Sequence, residues 1–71
     1  MEEIAIHTAT IQLDQLLKWA GIVETGGQVK TFLDEKLIMV NGSLITERRK
    51  KVQPGDVITV RGVGTWKVTA E

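Results

Sequence analysis

The sequence predicts a small α+β fold in which two packed helices lie on a small, mostly antiparallel sheet, in the order β-α-α-β-β-β-β. Three observations predict it: an alternating apolar pattern near the N-terminus, two apolar stripes of helical period before residue 34, and an Asn-Gly pair followed by short alternating segments. A chain of 71 residues suffices for one small core, so we expect a single domain over residues 1–71.

The first two elements follow from a change of period. Residues 3–8 alternate polar and apolar side chains, which is typical of a short, half-buried strand. Thr10 is expected to be the N-cap of the helix that follows, and Gly21 is expected to end it. This helix presents one apolar stripe, which consists of Leu13, Leu16, Leu17 and Ala20.

A second helix is expected to start at Thr25 and to end near Lys36, because Thr25 and Gln28 have the spacing of a capping box. Gly26 and Gly27 fall in its first turn, where each glycine lowers helix propensity by about 1 kcal/mol relative to alanine. Two explanations stay open: a tight turn between the helices, or the close approach of another molecule to the backbone. The apolar face of this helix consists of Val29, Phe32 and Leu33.

The rest of the chain predicts strands. Asn41-Gly42 follows an apolar run and is typical of a type I′ turn, in which both central residues need positive φ, so a hairpin is expected over residues 37–46. Further strands are expected at 57–60 and 65–68, with turns at Pro54-Gly55 and at 62–64.

Composition and charge restrict the class of protein. The chain has no cysteine, which excludes disulfides and thiolate metal sites and favours a cytoplasmic setting. No apolar run approaches the roughly 20 residues of a membrane span, so we expect a soluble protein that binds no membrane. The net charge of zero is uneven: residues 1–17 carry three acids and no base (−3), and residues 18–71 carry nine bases and six acids (+3).

Few residues are suited to catalysis. With one histidine, one serine and no cysteine, the sequence offers no convincing pair of nucleophile and base. His7 lies alone on the first predicted strand and Asp34-Glu35 lies at a helix end, positions typical of surface residues. Gly26-Gly27 lacks the Gly-Lys-Ser/Thr that completes a phosphate-binding loop. We therefore expect no enzyme, no metal site and no cofactor.

The basic residues are more informative. Lys18 and Lys30 lie off the apolar stripes of their helices, so both are expected to face solvent. Arg48, Arg49, Lys50 and Lys51 are four adjacent cations, which repel one another unless an anion such as a phosphate backbone neutralises them. A solvated loop that keeps the protein soluble is the alternative explanation.

Aromatic residues are scarce. Trp19 lies at the edge of the first helix's apolar stripe and Trp66 lies in the last strand, so both are expected at the edge of the core rather than as platforms for bases. With only Phe32 besides, the sequence favours structured RNA over single strands as a ligand.

Three motifs at characteristic separations carry a family resemblance: Leu13-Asp14-Gln15-Leu16-Leu17, Val40-Asn41-Gly42 and Pro54-Gly55-Asp56. Together they resemble the S4-type RNA-binding domain over residues 12–60, the module of ribosomal protein S4 and of pseudouridine synthases. The chain is most similar to small stand-alone bacterial S4-like proteins. This resemblance implies an αL-type RNA-binding face made by the two helices and the adjoining hairpin. It also implies a partner, structured ribosomal RNA or a ribosomal particle, during assembly of the large subunit.

The sequence departs from the family at the start of the second helix. Larger members place Ser-x-Arg there, whereas this chain has Thr25, Gly26 and Gly27, so a phosphate-contacting arginine is missing. We expect exposed backbone N–H groups at this helix end and the 48–51 cluster to compensate. The candidate RNA-binding residues of this monomer are Lys18, Lys30, Arg48, Arg49, Lys50 and Lys51 for phosphates, Thr25, Gly26, Gly27 and Gln28 for the helix-end anion site, and Asn41 for aligning the hairpin, where Asn41-Gly42 could also be purely structural.

Two other functions stay open. A β-grasp sulfur carrier also shows V-N-G and a late G-D-x-V-x-V strand, but it acts through a C-terminal Gly-Gly, and this sequence reads Val68-Thr69-Ala70-Glu71 there. A protein-interaction adaptor would use residues 48–51 to bind an acidic partner instead of RNA.

Overall fold

The structure is a computed structural model that describes residues 1–71, and it confirms the predicted α+β class. Seven strands and two helices follow one another along the chain. Their bounds are β1 Glu2–Ile6, β2 Ile11–Gln12, α1 Leu13–Trp19, α2 Gly26–Asp34, β3 Ile38–Val40, β4 Ser43–Leu44, β5 Lys51–Val52, β6 Val57–Val60 and β7 Gly64–Ala70.

Five strands form the main sheet, in the order β1-β7-β6-β3-β4. The pairs β7-β6, β6-β3 and β3-β4 are antiparallel, and only β1 runs parallel to its neighbour β7, with Glu2 opposite Trp66 and Ile6 opposite Ala70. The indole N–H of Trp66 donates to Glu2 Oε2 across this pair at 3.0 Å. The predicted mostly antiparallel sheet is therefore confirmed, with one parallel pair at its edge.

Helix α1 begins later than the sequence predicts, and its predicted cap is wrong. Its N-cap is Gln12, which makes no side-chain cap hydrogen bond, and not Thr10. The first amides of the helix donate instead to main-chain carbonyls: Leu13 N–H to Lys50 O at 2.8 Å and Asp14 N–H to Arg48 O at 3.0 Å. The small second sheet, in which β2 pairs with β5, holds this distant segment against the helix start.

Helix α2 has the predicted start. Thr25 is its N-cap, and the capping box with Gln28 is complete. The helix ends at Asp34, close to the predicted end, and Lys36 follows with a left-handed φ of 59°. The two helices have seven and nine residues, so neither is long enough to cross a membrane.

The strands that follow agree well with the prediction. Asn41 and Gly42 have φ values of 53° and 82°, as a type I′ turn between β3 and β4 requires. Strand β6 has its predicted bounds, whereas β7 is longer than expected because its residues pair with β6 on one side and with β1 on the other.

One hydrophobic core lies between the helices and the main sheet. Leu13, Leu16 and Leu17 of α1 are fully buried, as the stripe predicts, whereas Ala20 is exposed because it lies beyond the last turn of the helix. Half-buried Phe32 and Trp66 pack against the core, which agrees with the position expected for Trp66. The buried residues are Ile4, Ile6, Leu13, Leu16, Leu17, Val23, Val29, Leu33, Ile38, Val40, Val52, Ile58, Val60 and Val68.

Candidate nucleic-acid interface

Residues 48–51, here called the basic segment, lie along the start of α1. Their backbone is fixed there, because the carbonyls of Arg48 and Lys50 accept hydrogen bonds from the first amides of the helix and Lys51 pairs with Gln12. All four residues are exposed. The backbone of the segment is therefore held in place while its four cationic side chains extend into solvent.

No lysine or arginine side chain of the chain is neutralised by a carboxylate. The only contact of ion-pair type within 4.0 Å joins His7 Nδ1 to Glu71 Oε2 at 3.3 Å, so all nine Lys and Arg side chains lack an ion-pair partner. Unpaired like charges on adjacent residues repel one another and attract any polyanion. If the basic segment were only a solvated loop, nothing in the chain would offset the repulsion between its four cations.

Two of the predicted phosphate-binding residues lie together beside α2. Lys30 and Arg48 line one surface depression, together with Leu33, Asp34 and Thr46. Lys30 is exposed on the flank of the helix, as predicted. The depression therefore combines two cationic side chains with one carboxylate, that of Asp34.

Lys50 and Lys51 lie elsewhere, in a hollow shared with Asn41, Gln53 and Asp56. The hairpin turn therefore lies beside the end of the basic segment, as predicted. Arg49 is exposed in the turn at 48–49 and lines no depression.

The N-terminus of α2, residues 25–28, is here called the helix-end site. Its capping box uses two amides: Gln28 N–H donates to Thr25 Oγ1 and Thr25 N–H donates to Gln28 Oε1, both at 3.3 Å. The amides of Gly26 and Gly27 have no hydrogen-bond partner in the chain, and no acidic residue lies in the first turn. Lys18 reaches this site, since a Cβ built on Gly26 would lie 3.8 Å from Lys18 Nζ. Free amides, the positive end of the helix dipole and an ammonium group thus converge.

Both glycine positions of this site have room for the Cβ of alanine. A Cβ on Gly27 would meet only Thr25 Oγ1, at 3.7 Å, and one on Gly26 would meet only Lys18 Nζ; both are ordinary contact distances. Neither residue has a positive φ. A tight turn between the helices therefore does not require glycine at these two positions, because no atom of the chain comes close enough to exclude a Cβ.

Neighbouring residues connect these groups into a single surface. Arg48 O accepts from Asp14 N–H, and Lys18 lies one turn further along α1, where its ammonium lies over Gly26. Lys30 is one turn beyond Gly26 in α2 and lines the same depression as Arg48, so it connects the helix-end site back to the basic segment. We call the surface formed by the basic segment, Lys18, the helix-end site and Lys30 the basic surface.

Two sequence motifs meet at Asn41. Its backbone N–H donates to Val57 O at 2.8 Å, its side-chain oxygen accepts from Val57 N–H at 2.9 Å, and its side-chain amide donates to Asp56 Oδ1 at 3.0 Å. Asp56 Oδ2 in turn accepts from Gln53 N–H at 3.0 Å. The Val40-Asn41-Gly42 and Pro54-Gly55-Asp56 motifs are thus joined through side chains, which gives Asn41 a structural role.

Trp19 does not lie at the edge of the core, where the sequence predicts it. This prediction is wrong, because the side chain is 61% exposed. Its indole N–H donates to Ala5 O at 3.3 Å, and its ring meets that of His7 edge to face, with centroids 6.2 Å apart. Trp19 is the last residue of α1, and helical periodicity alone does not show whether a neighbouring element covers a residue at the edge of the stripe.

The acidic and histidine side chains form no cluster. No group of three or more His, Asp or Glu residues is placed to hold a metal ion. Asp34 and Glu35 are both exposed, as expected for a solvated helix end.

Comparison with known proteins gives the family. Residues 4–69 match the S4 domain, which is most of the chain. The chain belongs to the S4 domain family. The match confirms the resemblance inferred from the three motifs and extends beyond residues 12–60 on both sides, so it takes in most of β1 and β7.

One curated relative of this S4 domain is of nearly the same size. The chain is 38% identical over 65 residues to the "Probable ribosome maturation protein RlbA" of Bacillus subtilis (strain 168), and the alignment covers 92% of each chain. The similar length of this relative agrees with the predicted resemblance to small stand-alone S4-like proteins.

Proposed function

We propose that this chain binds structured RNA through its basic surface, without catalysis, and acts in ribosome maturation, with ribosomal RNA of the large subunit as its target. The phosphate backbone would lie across the basic segment and the helix-end site. The three remaining residues of the predicted site, Lys18, Lys30 and Asn41, lie beside these two groups.

The observation that carries the proposal is the concentration of unpaired positive charge and free amides around the two helices. The cations of the basic surface have no carboxylate within 4.0 Å, and the amides of Gly26 and Gly27 have no partner. Phosphate oxygens accept from both kinds of group. Two glycines in a helix start that has room for a Cβ support the same proposal, because a bare backbone lets a phosphate approach closely.

Relationship to known proteins supports the biological setting. The chain is an S4 domain, and S4-type domains are expected to bind RNA through this pair of helices. Its relative of equal size is named a probable ribosome maturation protein. Ribosome maturation is accordingly the process in which we propose that this chain acts, in the cytoplasm.

The net charge favours a shaped target. Because the charges of the whole chain sum to zero, long-range attraction to a polyanion is weak and binding depends on short-range fit. A folded RNA presents phosphates at fixed spacings that can match the basic segment, Lys30 and the helix-end site together.

Crosslinking in cells, followed by sequencing of the attached RNA, tests the proposal. Reads concentrated on a few sites of large-subunit ribosomal RNA, and lost in the double variant Arg48→Gln/Arg49→Gln, are expected. Reads spread over unrelated transcripts would contradict a ribosomal target. Nuclease treatment of a pull-down tests the adaptor alternative, since the acidic partner of an adaptor survives removal of RNA.

The chain is further proposed to act as a monomer and as one folded unit. Sedimentation of the free chain and of its complex with RNA tests the first point, and we expect one protein per RNA site. A single cooperative unfolding transition, seen alike by far-UV circular dichroism and by tryptophan fluorescence, tests the second.

A further inference from the structure

Trp19 lines a cleft that the basic surface does not include. The cleft has a volume of about 540 Å³ and lies between the end of β1 and the exposed side of α1. Its walls are formed by Ile6, His7, Thr8, Ile11, Gln15, Lys18 and Trp19. Lys18 belongs both to this cleft and to the helix-end site, so the two are adjacent.

The indole of Trp19 is held in place although it is exposed. Its N–H is bound to Ala5 O, and the edge-to-face contact with His7 fixes the ring from a second side, with the planes at 78°. His7 is itself in contact with Glu71. An aromatic ring that is already immobilised loses little conformational entropy when a flat ligand stacks on it.

The chemistry of the walls selects the ligand. Aromatic and aliphatic side chains make the cleft mostly apolar, Lys18 adds an ammonium group, and no Asp or Glu is among its walls. The carboxylate of Glu71 contacts one of the wall residues, at His7 Nδ1. The side chain of Gln15 has no hydrogen-bond partner in the chain, so its amide can donate to and accept from a polar ring edge. A flat, polar-edged ring attached to an anion satisfies all three conditions.

We propose that the cleft binds one unpaired nucleotide of the target RNA. The base stacks on Trp19 with its edge at Gln15, and its phosphate lies at Lys18 and the free amides of Gly26 and Gly27. This inference rests on the proposed function and adds a feature of the target: a structured RNA in which a single base is displaced from its helix beside the phosphates that the basic surface contacts.

Fluorescence of Trp19 tests the inference directly. In the variant Trp66→Phe, all tryptophan emission comes from Trp19, and in the matched variant Trp19→Phe it comes from Trp66. The probes are an RNA hairpin with one bulged adenosine and the same hairpin fully paired. We expect the bulged hairpin to quench the emission of Trp66→Phe at saturation and to leave that of Trp19→Phe nearly unchanged.

Affinity gives an independent measurement. Trp19→Ala should weaken binding of the bulged hairpin by about tenfold, the lower part of the range for loss of one base–aromatic stack, and should weaken binding of the paired hairpin by less than about twofold. Equal affinities of wild type and Trp19→Ala for the bulged hairpin, or Trp19 emission that does not respond to it, would overturn the inference.

The outcomes separate this inference from the proposed function. If Arg48→Gln/Arg49→Gln weakens binding of both hairpins while Trp19→Ala changes neither, the proposed function stands and the cleft is not a nucleotide site. If neither hairpin binds, these two hairpins lack the target's shape, and the crosslinking experiment decides about the proposed function. Adenosine 5′-monophosphate titrated into Trp66→Phe then decides about the cleft: quenching supports it, and no response overturns it. Emission that changes with protein concentration alone would show that a second copy covers Trp19, which also overturns it.

Discussion

Gly26 and Gly27 occupy a helix start in which alanine would fit. Neither the backbone conformation nor the surrounding atoms exclude a Cβ, and glycine lowers helix stability at such positions. Because the two glycines lower helix stability and packing does not require them, we infer that a ligand needs the exposed backbone at these positions. At the scale of single residues, this is the strongest support for the helix-end site.

Substitution of Gly27 should therefore separate stability from binding. Gly27→Ala should raise the free energy of unfolding by about 0.5–1 kcal/mol, because alanine restricts the unfolded chain and favours the helix. The same variant should bind RNA more weakly, and Gly27→Asp more weakly still, since a carboxylate there repels phosphate. Urea denaturation and RNA titration measure the two effects. If both variants bind RNA as the wild type does, the helix-end site has no part in binding.

Asn41 adopts a positive φ, and its side chain makes hydrogen bonds to two other residues. Asn41→Ala should destabilise the protein by about 2–3 kcal/mol, from the lost hydrogen bonds to Asp56 and Val57 together with the left-handed backbone. Asn41→Gly loses the same hydrogen bonds without the backbone penalty, so it should destabilise by about 1 kcal/mol less.

Thermal or urea unfolding of both Asn41 variants provides the measurement. RNA affinity at a temperature where each variant is folded then tests its assignment to the binding site. A purely structural Asn41 leaves that affinity unchanged, whereas an Asn41 that contacts RNA does not.

At the scale of elements, the two helices obtain their N-terminal hydrogen bonds in different ways. Helix α2 uses the side chain of its own Thr25, and α1 uses carbonyls of the basic segment. Thr25→Ala should consequently lower the free energy of unfolding by about 1 kcal/mol, while Thr10→Ala, at the cap predicted from sequence, should change it by less than about 0.3 kcal/mol. Urea denaturation of this matched pair checks the helix boundary, and equal losses would contradict it.

The basic segment should account for much of the salt dependence of RNA binding. Each phosphate contact contributes a slope of about −0.7 to −0.9 to log K against log salt, so Arg48→Gln/Arg49→Gln should flatten the slope by between about 1 and 2. Arg61→Gln provides the control, because Arg61 is an exposed arginine in the turn between β6 and β7, outside the predicted site. A slope that responds equally to Arg61→Gln would show general charge attraction instead of a defined surface.

Local sequence patterns predicted the elements whose hydrogen bonds are local. The capping box of α2 and the Asn41-Gly42 turn involve residues at most a few positions apart, and both are confirmed. Short-range signals were sufficient in these two cases because the partners are neighbours in sequence. Strand β6 also has its predicted bounds, although it pairs with the distant β3, because its alternating pattern can be read without knowledge of its partners.

Elements that depend on distant partners were missed or misplaced. Strands β2 and β5 have two residues each and exist only through each other, and the start of α1 depends on carbonyls of residues 48 and 50. The exposure of Trp19 is a further example, since it depends on which element covers the end of α1. Sequence patterning identified the candidate cations, and the resemblance to S4-type domains implied a face made by the two helices and the hairpin. The packing of residues 48–51 against the start of α1 was not predicted, because it depends on the same long-range contacts.

At the scale of the whole molecule, a net charge of zero coexists with a surface of unpaired cations. Association with RNA should therefore proceed without strong electrostatic steering, at about 10⁵–10⁶ M⁻¹ s⁻¹, and the effect of salt should fall mainly on dissociation. Stopped-flow fluorescence at several salt concentrations measures both rates. An association rate near 10⁸ M⁻¹ s⁻¹, falling steeply as salt is added, would instead indicate long-range attraction.

Because β1 pairs only with β7, it can join the sheet only after β7 has been synthesised. Strand β7 lies between β1 and β6, so β1 is synthesised first but has no neighbour in the sheet until residues 64–70 have been made. At roughly 5–20 residues per second, β1 waits for some seconds with its apolar side chains uncovered. Pairings between such distant segments also form slowly, because a long loop must close. A chain proposed to act on maturing ribosomes would thus complete its own sheet only after residues 64–70 have been made.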